Sequence, residues 1–237
     1  MIDSSTPAVS AARPAAIVFD VNETLLDMSA LDPLFADAFG DKGVRRTWFA
    51  QTIANVLAAT LLGSYADFGE MQRAALEMTA KRRGVAIDPE RVRRILRGAL
   101  ALPAHGDVHA GLARLRDAGV RLAVLTNGTQ AAVEAQLESA RLRPYFETIL
   151  SADSVRRYKP APEPYAMAAE RLELAPGDML FVAAHDWDVT GARNAGYRTA
   201  FVARHGTSLN PLDAPPERGV PDVRALAEAL LGSGVAA

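Results

Sequence analysis

The chain has 237 residues, 26 Lys and Arg against 28 Asp and Glu, and no cysteine. Balanced charge leaves no basic surplus for tracking nucleic-acid phosphates, and the missing cysteines exclude disulfides, iron–sulfur clusters, thiolate zinc sites and cysteine nucleophiles. Hydrophobic residues at 49% and charged residues at 23% describe an ordinary globular mix, long enough for one large α/β unit or a core with a smaller second domain. No apolar run approaches the roughly 18 residues of a membrane span, so no membrane partner is expected. A cysteine-free chain fits a reducing, cytoplasmic setting.

Residues 1–14 lack the basic start and apolar stretch of a secretory leader and read as a flexible lead-in. Ala15–Asp20 is the first of four short apolar runs; the others are Arg121–Asn127, Met179–His185 and Arg198–Arg204. None alternates with period two, so both faces are expected to be covered, as in a parallel sheet between helices. After the first run the pattern turns wholly helical: Asp32–Phe39, Val44–Leu62, Asp67–Arg83 and Pro89–Leu100. Asp88 caps the last of these, with Pro89 at its first position. The arginines within Lys81–Arg97 recur at helical spacing among apolar residues and read as a solvated face. Further helices are predicted at Val108–Gly119, Thr129–Ala140, Pro162–Leu172 and Asp188–Gly196. Strands alternating with helices of 10–15 residues form βαβ units. The expected fold is therefore α/β, a doubly wound parallel Rossmann-like sheet (15–28 and 105–237) with an inserted helical cap (29–104). Ligands bind such sheets at the carboxyl edge, beneath the cap.

Chemistry-bearing residues collect at that edge. Asp20 ends the first run and Thr24 follows on the turn; Thr126, Asn127 and Gly128 end the second. Lys159 lies in a loop with prolines at 160, 162 and 164, and the third strand runs into His185, Trp187 and Asp188 before Gly191. A carboxylate, a hydroxyl with an amide, an ammonium and a second carboxylate brought together match the requirements of covalent catalysis. His105 and His109 have metal-ligand spacing but no third ligand in sight, and read as chance surface placement. Gly128 and Gly191 need be no more than turn and packing glycines.

The ordered set Asp20-x-x-x-Thr24, Thr126–Asn127–Gly128, Lys159–Pro160 and Asp188 before Gly191 resembles the four motifs of the haloacid dehalogenase superfamily. Ser64–Phe68 in the cap, Tyr165 six residues after Lys159, and Trp187–Asp188 make the type II (S)-2-haloacid dehalogenases the most similar group. The resemblance implies a hydrolase with no cofactor and no metal, acting on a small anionic substrate. Asp20 would displace halide to form an ester, and water would then cleave that ester. Lys159 would hold Asp20 ionised, Thr24, Thr126 and Asn127 would orient it and bind carboxylate or oxyanion, and Asp188 would activate the water. Chains of this kind commonly associate as dimers. The alternatives are a phosphatase or phosphonatase, or a catalytically silent binding protein. Against the first, Asn22 replaces the general-acid aspartate of the Mg²⁺-dependent branch, and Ala183 and Ala184 stand where it keeps a metal-binding carboxylate.

The chain also departs from the dehalogenase pattern. Phe49, directly after Trp48, stands where the resemblance expects a substrate-gripping arginine. Arg45 and Arg46 lie one helical turn earlier and offer a replacement cation. Asn22 replaces an aromatic, and Ala183 and His185 replace a serine and an asparagine. The substrate-binding set expected from this reading is Asn22, Arg46, Phe49, Phe68, Tyr165, His185 and Trp187.

Overall fold

The strands β1 (Ala16–Phe19), β2 (Arg121–Thr126), β3 (Thr148–Ser151), β4 (Met179–Ala183), β5 (Arg198–Val202) and β6 (Arg218–Val220) form one sheet, in the order β3-β2-β1-β4-β5-β6. The computed structural model describes residues 13–232, so residues 1–12 of the expected lead-in lie outside the described residues. Every neighbouring pair is parallel; Val18 sits beside Ala123 on one side and Phe181 on the other. β1 is central and buried throughout, which explains its unbroken apolar run.

Successive residues of β1 feed two cores. Ile17 and Phe19 pack with α5 (Val108–Asp117), α6 (Gln130–Ser139) and α9 (Val223–Leu231) on one face. Ala16 and Val18 pack with α7 (Pro162–Leu172) and α8 (Asp186–Asn194) on the other. The sequence pattern does not predict β3, β6 or α9. β3 has only Ile149 and Leu150 between a threonine and a serine, and β6 only Val220 after Arg218 and Gly219, so neither gives an apolar run. α8 begins two residues before the expected Asp188, which places Asp188 inside the helix's first turn.

Between β1 and α5 the chain forms α1 (Asp32–Phe39), α2 (Val44–Leu62), α3 (Phe68–Arg82) and α4 (Pro89–Ala99). Asp67 and Asp88 cap α3 and α4, each accepting a backbone N–H at 2.9 Å. Trp48 Nε1 donates to the Gln72 carbonyl at 2.9 Å and fastens α2 to α3. Phe35, Trp48, Val56, Leu76 and Ile95 join the same apolar cluster as Ile17 and Phe19. Arg91, Arg93, Arg94 and Arg97 form exposed ion pairs with Asp37 and Glu90, as expected of a solvated face. No helix among the described residues is long and apolar enough to cross a membrane.

Candidate active site

Asp20 is the first residue past β1; its N–H still donates to the Val182 carbonyl at 2.9 Å, after which the chain turns out of the sheet. Its side chain is 7% exposed, and the carboxylate is held at both oxygens. Oδ1 accepts from Lys159 Nζ at 2.9 Å, and Oδ2 accepts from Thr24 Oγ1 at 2.7 Å. Thr24 Oγ1 in turn accepts the Ala184 N–H at 2.9 Å, which fixes the direction of the hydroxyl proton toward Asp20. Lys159 is wholly buried and uses all three of its donors: Asp20, Asp188 Oδ2 at 2.5 Å, and the Leu125 carbonyl at 2.8 Å. Asp188 Oδ1 accepts from the Tyr165 hydroxyl at 2.6 Å.

Burial works against the Lys159 ammonium, but the Asp188 and Asp20 carboxylates outweigh it and raise its pKa above the usual lysine value. Burial also raises the Asp188 carboxyl, to about 6, with the Lys159 charge and the Tyr165 hydroxyl pulling the other way. Burial, reinforced by Asp188, keeps the Tyr165 phenol protonated far above its ordinary range.

The loops around this ionic cluster are clamped. Asn127 Nδ2 donates to the Lys159 carbonyl at 3.2 Å and its Oδ1 accepts the Lys159 N–H at 2.8 Å. The Asn127 side chain thereby positions the Lys159 loop. Thr126 Oγ1 accepts the Gly128 N–H at 3.1 Å. At Gly191 a Cβ would lie 2.6 Å from both Pro160 and the Tyr165 hydroxyl, so only glycine lets α8 approach the Lys159 loop.

Above Asp20 lies a cavity of about 10 Å³, room for roughly one water. Its walls are Asp20, Asn22, Phe49, Ile53, Phe68, Thr126, Asn127, His185 and Trp187. The His185 ring stacks on Trp187 at 5.3 Å between centroids and 13° between planes, and lies 5.5 Å from the Phe49 ring. Asn22 Oδ1 accepts from Gln136 Nε2 at 3.1 Å, which also donates to the Ala99 carbonyl at the end of α4. A wider groove of about 460 Å³ continues outward past Phe49, Ile53, His185 and Trp187.

The structure gathers most of the expected residues at the cavity and places others away from it. Asn22, Phe49, Phe68, His185 and Trp187 do line the cavity. Tyr165 does not; it is fully buried behind Asp188, because its helix faces the sheet. Arg46 is exposed and lines the outer groove, while Arg45 is buried and paired with Asp32 at 2.6 Å and Glu23 at 3.3 Å. Neither arginine is on the cavity wall. Asp188, expected to activate water, is 0% exposed and enclosed by Lys159 and Tyr165. His105 is half-buried rather than a surface residue, its Nε2 3.0 Å from the Glu23 carbonyl, while His109 is exposed against Tyr145. Sequence reasoning missed Glu23, Gln136 and Ile53; only Ile53 had a signal, one helical turn beyond Phe49. Among the described residues no three His, Asp or Glu are grouped to hold a metal ion.

Comparison with known proteins agrees with this geometry. The haloacid dehalogenase-like hydrolase family matches residues 14–196. An (S)-2-haloacid dehalogenase (H-109) of Pseudomonas putida is 30% identical over 217 residues, covering 91% of this chain and 97% of the relative. A haloacetate dehalogenase (H-2) of Moraxella sp. (strain B) is 29% identical, covering 89% of this chain and 95% of that one. The structure of the L-2-haloacid dehalogenase of Xanthobacter autotrophicus with chloropropionic acid covalently bound superposes with a TM-score of 0.86 at 26% identity, over 93% of this chain and 100% of the other. With the family match spanning most of the chain and the four strand-edge motifs converging on one carboxylate, this protein belongs to the haloacid dehalogenase-like hydrolases.

Proposed function

We propose that the protein hydrolyses the carbon–halogen bond of small 2-halo carboxylic acids through an ester on Asp20, without a metal. The observation that carries this reading is the Asp20 carboxylate itself: fixed by Lys159 and Thr24, and facing a cavity walled by Phe49, Ile53, Phe68 and Trp187. An Asp20 oxygen attacks the carbon bearing halogen, the halide leaves with the bonding pair, and configuration inverts. Water then adds to Asp20 Cγ, and the 2-hydroxy acid departs. Apolar walls keep bulk water from the first step. The relatives named as haloacid and haloacetate dehalogenases support this choice of substrate class.

Metal-assisted phosphoryl transfer is disfavoured by chemistry. Asn22 has no proton to give a leaving alkoxide, Ala183 and Ala184 offer no oxygen ligand side chain, and Lys159 Nζ already occupies the space between Asp20 and Asp188. In this reading the helices of 29–104 act as a cap over a core of 15–28 and 105–237, in a cytoplasmic enzyme. The proposal includes a dimer, since α2 leaves Leu61 87% and Leu62 79% exposed; light scattering at the mass of one chain would remove it.

The test is a panel of 2-haloacids and p-nitrophenyl phosphate, each with Mg²⁺ and with EDTA. Halide release unaffected by EDTA and absent in Asp20→Asn is expected. A Mg²⁺-dependent rate on the phosphate ester, without halide release, would replace this reading with the phosphatase one.

A further inference from the structure

A cavity of about 10 Å³ holds roughly one water, so the side chain of a 2-haloacid bound at Asp20 must occupy a neighbouring space. Two spaces adjoin the cavity. The outer groove of about 460 Å³ is lined by apolar residues of α2 but also by Glu23, Arg46, Asp186 and His205. The other is a pocket of about 380 Å³ between the start of α3, the end of α4 and the start of α6. We propose that this pocket receives the substituent on C2, and that the enzyme is built for 2-haloacids carrying an apolar chain of several carbons. The proposal rests on the ester reading above and narrows its substrate class.

The first support is continuity. Asn22 and Phe68 line both the cavity and the pocket. Thr126 and Asn127 on the cavity wall run directly into Gly128 and Thr129 on the pocket wall. A chain attached to the carbon under attack therefore reaches the pocket by passing Asn22 and Phe68. Asn22 is a short side chain tied there by one hydrogen bond, from Gln136 at 3.1 Å. If Asn22 turns aside, Gln136 still donates to the Ala99 carbonyl at 2.8 Å. Asn22 is thus the gate between the two spaces.

The second support is the chemistry of the lining. Phe68, Leu96, Ala99, Leu100, Ala131 and Ala132 supply its apolar surface. Four polar side chains among them are already engaged. Asp67 accepts the Glu70 N–H at 2.9 Å, Thr129 Oγ1 accepts the Ala132 N–H at 3.2 Å, and Arg97 donates to Glu90 at 2.8 Å. Gln136, the fourth, is held as described. An alkyl chain entering here takes no water from an unpaired one of these groups, whereas in the groove it would lie beside charges. Leu100 lines the pocket and is still 41% exposed, apolar surface that such a chain would cover.

Bromide release from (S)-2-bromohexanoate and (S)-2-bromopropionate tests the assignment, read as the ratio of their kcat/KM values. Each methylene taken out of water contributes about fourfold, and the longer acid has three more. Wild type is expected to favour the hexanoate by at least about tenfold, through a lower KM. Ala132→Trp fills the pocket from α6, away from the cavity wall, and should erase that preference. Leu100→Ser, at an exposed position, should lower the ratio by about fourfold. Leu57→Ser is the matching change in the outer groove, where Leu57 is 37% exposed, and should leave the ratio where it was. If Ala132→Trp releases no bromide from either acid, Leu100→Ser decides. A wild type without the preference would overturn the assignment, as would a ratio unmoved by both pocket changes. A fall in Leu57→Ser alone would overturn it too, by placing the chain in the groove. No bromide from either acid with the wild type would defeat the dehalogenase reading itself, a separate outcome.

Discussion

Beneath the Asp20 cavity, each charged side chain has a charged or hydrogen-bonding partner: Lys159 spans Asp20 and Asp188, Tyr165 backs Asp188, and Asn127 clamps the lysine loop. Above it, Phe49, Ile53, Phe68 and Trp187 supply shape and almost no hydrogen bonds. The floor grows from β1, β2, α7, α8 and the Lys159 loop; Phe49, Ile53 and Phe68 of the roof come from α2 and α3. Buried charges tolerate little change, because removing one partner strands another in a medium that cannot solvate it. Apolar walls accept other apolar side chains of similar volume at modest cost. Reaction type is therefore set below the cavity and substrate shape above it. His185 belongs to both: it comes from the core side, yet it is packed among the roof's aromatics.

The largest break in this contrast comes from Lys159→Met. It leaves two buried carboxylates facing each other, and denaturant unfolding should show a loss of about 3–5 kcal/mol, with turnover abolished. A loss near that of an exposed pair, under about 1 kcal/mol, would mean the floor is less dry than its burial indicates.

Tyr165→Phe sharpens the account of the floor. Losing a hydrogen bond to a charged group should remove about 1.5–3 kcal/mol of stability. The Tyr165 hydroxyl favours ionised Asp188, so its removal raises a carboxyl already lifted by burial to about 6. As pH falls through that value Asp188 takes up a proton, and Lys159 is left to pair with Asp20 alone. The turnover profile should therefore show an acid limb near pH 6 in the wild type, displaced to higher pH in the variant. An undisplaced limb would show that Asp188 does not control it.

The smallest effect belongs to the roof. Phe49→Leu should cost about 1 kcal/mol, while the ratio of kcat/KM values moves toward 2-haloacids with longer side chains. Equal loss on all substrates would mean that Phe49 is core and not a specificity wall.

The same division governs what the sequence could reveal. Asp20, Thr126 and the Trp187–Asp188 pair each sit at or just past the end of an apolar strand, where an unbroken hydrophobic run makes the edge visible. The cap helices carry their own boundaries in Asp67, Asp88 and Pro89. What stays hidden depends on how distant segments meet. Glu23 and Arg45 are paired across 22 positions by the seating of α2 on the nucleophile turn, and Gln136 reaches Asn22 across 114. No local pattern encodes those meetings. Tyr165 reads as a substrate residue only through the family resemblance; the orientation of α7 sets its hydroxyl against Asp188 instead.

The central claim, an ester on Asp20, is tested most directly by a single turnover in ¹⁸O water with enzyme in excess over a 2-haloacid. Water that attacks Cγ must leave its oxygen in the side chain, so mass analysis of the peptide containing Asp20 should show one ¹⁸O there and unlabelled 2-hydroxy acid. Label appearing in the first-turnover product, with Asp20 unlabelled, would mean that water attacks the substrate directly and that Asp20 is not the nucleophile.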